Sequence, residues 1–194
     1  MEKERLTAFS DGVIAIIITI MVLEIKAPHG GDWADLAALW PVFSSYVLSF
    51  VYVAIYWNNH HHMLYAADRV NGAILWANMH LLFWLSLIPV ATAWLGENHF
   101  SARPTAVYGF ALLMPAIAYY TLQQTIVRSQ GPESLLSKAV GTDFKGKASP
   151  VLYTLAIAMA FIAPVVSNLI YVAVALMWLV PDRRIEQVLT EERK

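Results

Sequence analysis

A chain of 194 residues with 58% apolar and 14% charged side chains, and a mean hydropathy of +0.54, is excluded from the ordinary soluble domains and reads as an integral membrane protein. A net charge of −1 without a long basic run offers no footing for nucleic acid. The absence of cysteine removes disulfides, thiol nucleophiles and thiolate metal sites.

The first span is predicted over residues 6–25. Every residue from Val13 to Leu23 except Thr19 is apolar, and the flanks bring the segment to the roughly 20 residues that cross ~30 Å of hydrocarbon. Ser10-Asp11 in its opening turns and Glu24-Ile25-Lys26-Ala27-Pro28 at its end distinguish it from a cleavable signal peptide. Ile16, Ile20 and Leu23 share one stripe at spacing i, i+4, i+7 with Thr19 on its edge, whereas Asp11 falls roughly 140° away. One face is thus aliphatic with a hydroxyl, and the other turns Ser10 and Asp11 toward neighbouring helices.

A loop follows, punctuated by Pro28, Gly30 and Gly31, and Asp32 is placed to cap the next helix. The second span is predicted over 36–57, with Asn58-Asn59-His60-His61-His62 continuing it toward water and Asp68 to Gly72 as the turn. The third, 73–95, holds Asn78, His80 and Pro89. The fourth, 105–125, has Pro115 near its middle, where a missing N–H invites a kink. Arg128 to Lys147 is the longest polar segment. The last apolar region, Pro150 to Val180, is too long for one comfortable span, and Pro164 with Ser167-Asn168 divides it into 150–164 and 166–180.

Six spans make a single all-α membrane domain, residues 1–194. They put Lys3, Arg5, Arg69, Arg128, Lys138, Lys145, Lys147, Arg183, Arg184, Arg193 and Lys194 on one side and only Lys26 and Arg103 on the other. By the positive-inside rule the basic side, with both termini, is cytoplasmic.

Asp11 near hydrocarbon requires hydrogen-bond partners. Together with Arg5, Phe9 and Ser10 it is expected to form a structural network with Trp57, His61 and Asn78. The three adjacent histidines point in three directions, so one metal ion cannot take all three, and packing or hydrogen bonding is the expected role. His80 and Asn78 read as interhelical glue. No nucleophile elbow, His-Glu-x-x-His or phosphate-cradling glycine loop is present, so no enzyme and no cofactor is expected.

The motif Arg5-x-x-x-Phe9-Ser10-Asp11-Gly12 followed by an Ile/Leu-rich helix resembles the opening of the transmembrane protein 175 family. This is the family of potassium channels of animal endosomes and lysosomes and their single-repeat prokaryotic relatives. Trp57-Asn58-Asn59-His60-His61, Leu87-Ile88-Pro89 and Leu95-Gly96-Glu97 extend the resemblance over nearly the full chain, most securely residues 5 to 97. The resemblance implies a homotetramer in the bilayer, four copies of the first helix around a central axis, and passage of K⁺ and other monovalent cations. It implies a constriction at Ile16, Ile20 and Leu23, where the family's usual leucine at the middle ring is isoleucine here, and makes Thr19 the nearest polar layer. A prokaryotic plasma membrane is implied as well.

Isoleucine rings close a pore by dewetting but do not replace an ion's hydration shell as carbonyl rings do. Thr19, the C-terminal helix ends and Glu24 are therefore the candidates for cation preference. A small proton-coupled carrier or exporter with Asp11 as its titrating group is the alternative, and a non-conducting accessory subunit is a third.

Overall fold

The computed structural model describes residues 2–131, 134, 136–137 and 143–179, and among these it is helical, with no strand. The helices delimited among the described residues are α1 (Lys3–Leu23), α2 (Trp33–Ala37), α3 (Trp40–Tyr65), α4 (Gly72–Leu85), α5 (Ile88–Glu97), α6 (Ala102–Gln130), α7 (Phe144–Met159) and α8 (Pro164–Leu179). Lys138, Arg183, Arg184, Arg193, Lys194 and the final residue of the sixth predicted span lie outside the described residues.

Among the described residues, four segments are long and apolar enough to cross a bilayer: Lys3–Leu23, Trp40–Tyr65, Gly72–Glu97 and Ala102–Gln130. In hydrocarbon each backbone N–H must find its partner within the segment, which helices provide. The ends of these segments are where local chemistry decides. Asp32 does cap a helix, but the five-residue α2, where its N–H donates to the Asp35 carboxylate at 3.1 Å. The long α3 begins only at Trp40, with Pro41 in its first turn, where a missing N–H costs nothing. It also runs eight residues beyond the predicted end at Trp57, so the Asn-His run is helical and partly buried.

The third span breaks at Ser86–Leu87. Pro89 sits in the first turn of α5 and cannot donate back to α4, while the Ser86 hydroxyl donates to the Phe83 carbonyl at 2.7 Å. α6 is longer than predicted at both ends and spans about 43 Å at 1.5 Å per residue. It stops at Gly131, whose φ of 88° is a conformation that favours glycine.

The last apolar region does divide in two, but in a different place. α7 starts at Phe144, capped by the Asp143 carboxylate, which accepts from the Gly146 N–H at 3.0 Å, so Pro150 falls inside the helix. The break lies at Ala160–Ala163 and Pro164 opens α8. Ser167 and Asn168 are not in the break. The Ser167 hydroxyl donates to the Ala156 carbonyl at 2.8 Å and binds α8 to α7, and Asn168 reaches Thr105 on α6 at 3.3 Å.

Two apolar clusters form the interior. One gathers α1, the second half of α3, α4 and the end of α6 around Leu6, Ile14, Ile17, Met21, Val53 and Leu81. The other gathers the first half of α3, α5, the start of α6, α7 and α8 around Tyr52, Leu95, Tyr108, Tyr153 and Tyr171. α5 approaches α3 at Gly96, where a β-carbon would come within 2.7 Å of the Val42 Cα. Only glycine lets the two backbones meet there.

Candidate functional site

α1 presents two faces. Leu6, Ser10, Ile14, Ile17 and Met21 are buried against α3 and α4. On the other side Phe9 is 50% exposed, Ile16 58%, Ile20 42% and Leu23 77%, in line with exposed Ala8, Gly12, Ala15 and Thr19. The predicted stripe is therefore a free face in the single subunit. The Thr19 hydroxyl donates to the Ile16 carbonyl at 2.9 Å, so its proton is committed within the helix and its oxygen lone pairs remain open on that face.

The network predicted around Asp11 divides in two. The Trp57 indole N–H donates to the Asp11 carboxylate at 3.0 Å, joining α3 to α1 near the surface. His61 is exposed and lies beside the Trp57 ring with centroids 6.1 Å apart; its contact is with the tryptophan. Asn78 serves Ser10 instead. Its side-chain N–H donates to the Ser10 hydroxyl at 2.9 Å, and Ser10 donates in turn to the Leu6 carbonyl at 2.8 Å. The Asn78 oxygen lies 2.7 Å from His60 Nε2.

Ser10, Asn78 and His60 are all fully buried and tie α1, α4 and α3 together inside the first apolar cluster. His60 is thus a member of the network that sequence reasoning missed, and it does not continue toward water. A signal for it exists: Ser45, Ser49, Tyr52 and Met63 are buried on α3, and His60 continues that spacing where His61 does not. Arg5 and Phe9 stay outside the network. Both are exposed on the free face, and Arg5 makes no hydrogen bond or ion pair with a described residue.

Lys3 performs a role that the charge count concealed. Its ammonium donates to the Tyr65 carbonyl at 3.1 Å and the Ala67 carbonyl at 2.9 Å, closing the C-terminal end of α3 with the start of α1. At the opposite end of α1, Lys26 and Glu97 approach to 3.8 Å, both well exposed. His80 accepts from the Trp84 indole one turn along α4 at 2.8 Å, a contact within one helix and not between helices.

With this geometry established, similarity to known proteins becomes decisive. A potassium channel of Chryseobacterium sp. (strain P1-3) is 54% identical over 191 residues, covering 98% of this chain and all of that one. The family model described as endosomal/lysosomal potassium channel TMEM175 matches residues 5–89, a stretch that holds the α1 stripe and both halves of the polar network. The chain belongs to the TMEM175 family. A potassium channel of Streptomyces collinus is 33% identical, with 84% of each chain covered. The crystal structure of a lysosomal potassium-selective channel TMEM175 homolog from Chamaesiphon minutus superposes with a TM-score of 0.82 at 29% identity, over 93% of this chain and 98% of that one. The TMEM175 family is one of ion channels, not enzymes, and this member is an integral membrane protein.

Proposed function

We propose that this TMEM175 member is a potassium channel built from four copies of the chain, with the free face of α1 lining a central cation pore. The observation that carries the reading is the division of α1. One side is packed and hydrogen-bonded into its own subunit, while Ile16, Ile20 and Leu23 stand free on the other. A single apolar helix cannot make a pore, and closed rotational symmetry brings the same face of every copy to one axis. Small residues at Ala8, Gly12 and Ala15 on that face allow neighbouring helices to approach. The bacterial relatives carry the name potassium channel, which supports K⁺ as the permeant ion.

In this reading Ile16, Ile20 and Leu23 form apolar rings that narrow the path and close it by dewetting. The Thr19 oxygen offers the nearest lone pairs to a passing cation. α7 and α8, each 16 residues and about 24 Å long, add two short spans to the four long ones and complete six. The Lys3–Tyr65 contact brings the start of α1 and the end of α3 to one end of the bundle, consistent with cytoplasmic termini in a prokaryotic plasma membrane.

The test is recording from purified protein in planar bilayers under opposed K⁺ and Na⁺ gradients, with Ile16→Asn and Thr19→Val beside the wild type. A reversal potential near the K⁺ value, with conductance raised by Ile16→Asn and the K⁺/Na⁺ ratio lowered by Thr19→Val, is the expected result. Flux that needs a proton gradient, ignores Ile16 and disappears with Asp11→Asn would replace the pore by a carrier.

A further inference from the structure

Where the middle turns of α3 and α6 and the last turn of α8 meet the first turns of α7, the bundle leaves a cleft with about 490 Å³ of free space, its open mouth included. Tyr52, Tyr56, Tyr119, Tyr120, Tyr153 and Trp178 supply its aromatic wall, and the exposed surface of the cleft is predominantly apolar. The Tyr52 hydroxyl donates to the Tyr171 carbonyl and the Tyr119 hydroxyl to the Asn59 carbonyl at 3.2 Å, so the polar tips of these two residues are already engaged with protein. Tyr56 and Tyr119 meet edge to face with centroids 6.1 Å apart.

Four other polar residues line the cleft; Asn59 and Ser149 are hydrogen-bonded to neighbouring groups, and the remaining two, Gln123 and Asp143, carry negative potential. Gln123 is 6% exposed, and its side-chain oxygen has no hydrogen-bond partner. A buried amide oxygen left so is costly and calls for a donor. Asp143 lines the same cleft. One of its oxygens accepts from the Gly146 N–H, and no lysine or arginine is among the described lining residues. The neighbouring Lys145 ammonium is directed instead over the Trp178 ring, 5.9 Å from its centroid.

Aromatic rings attract cations through their negative faces, a carboxylate supplies countercharge, and an unpartnered carbonyl oxygen selects for N–H. We propose that this cleft binds a small organic ammonium ion carrying at least one N–H, its apolar part among the tyrosines and its ammonium toward Gln123 and Asp143. The site shares no residue with the α1 stripe and stands apart from the pore reading.

The experiment is calorimetric titration of the full-length protein in nanodiscs of zwitterionic lipid with three probes: phenethylammonium, neutral phenethyl alcohol and benzyltrimethylammonium, which has no N–H. Phenethylammonium is expected to bind at least about tenfold more tightly than the alcohol. Asp143→Asn, nearly isosteric and able to keep the Gly146 contact, removes most of that difference. Gln123→Leu brings phenethylammonium down to the affinity of the trimethylated probe, and Ile16→Asn leaves every affinity unchanged. Equal binding of alcohol and ammonium, no saturable binding of phenethylammonium, indifference to Asp143→Asn, or loss of binding in Ile16→Asn would each overturn the proposal.

Discussion

Ile14 and Ile16 stand two residues apart on α1, yet Ile14 is wholly buried among the side chains of its own subunit and Ile16 is 58% exposed. The same opposition runs the length of the helix: Met21 against Leu23, Ile17 against Ile20, Ser10 against Phe9. Chemistry does not separate the two members of most of these pairs, since both faces are largely aliphatic. The difference is that the inner face carries a buried polar knot, Ser10 to Asn78 to His60, which fixes the rotation of α1 against α3 and α4. Once that rotation is fixed, the outer face is set as well, and its side chains are left to meet other copies, ions or lipid. Polar contacts between membrane helices orient apolar surfaces that packing alone would leave free to turn.

Paired substitutions break the comparison most directly. Ile14→Ala is expected to lower stability by about 3 kcal/mol, in the lower part of the range for buried aliphatics because lipid surrounds the separated helices. Ile16→Ala is expected to stay within about 0.5 kcal/mol of wild type in the same thermal unfolding assay in detergent while changing conductance. Equal destabilisation by the two would mean that the faces are not distinct.

Asn78→Leu leaves His60 Nε2 unpartnered in the interior and is expected to cost about 2 kcal/mol. Because α1 is then oriented only by packing and by the contacts of Asp11 and Lys3 near its start, conductance should become heterogeneous in single-channel records, and uniform wild-type openings would argue against an orienting knot. Trp57→Phe removes only the exposed indole bond to Asp11, a loss below about 1 kcal/mol, with unitary conductance unchanged. A larger effect would move the Asp11–Trp57 contact from the edge of the fold into its mechanism.

The division of labour around Asp11 illustrates how far the residues could be read. The need of a carboxylate near hydrocarbon for a partner follows from desolvation, and Trp57 is that partner. Asn78 was legible as a group that had to face protein, but its bond runs to Ser10. Choosing among His60, His61 and His62 required the rotation of α3, although the buried spacing from Ser45 through Tyr52 already pointed to His60. Arg5 and Phe9, adjacent in the motif to Ser10 and Asp11, turn out to lie on the free face. Residues neighbouring in sequence diverge by 100° on a helix, so a continuous motif need not make a continuous site.

The ends of the helices were the least legible. Asp143 caps α7 seven residues ahead of the apolar run that starts at Pro150, and Gly131 stops α6 beyond the end of its own apolar run, because caps are set by backbone geometry and not by hydropathy. By itself the sequence determined that this is a helical membrane protein with an aliphatic stripe on its first helix, since apolar length and a 3.6-residue period are properties of single segments. The tertiary structure alone decided which histidine is buried, which polar groups meet across helices, and that α3, α6, α7 and α8 enclose an aromatic cleft with an unpartnered Gln123 oxygen. Those features depend on how distant segments are rotated and shifted against one another, and no local period in the chain encodes that.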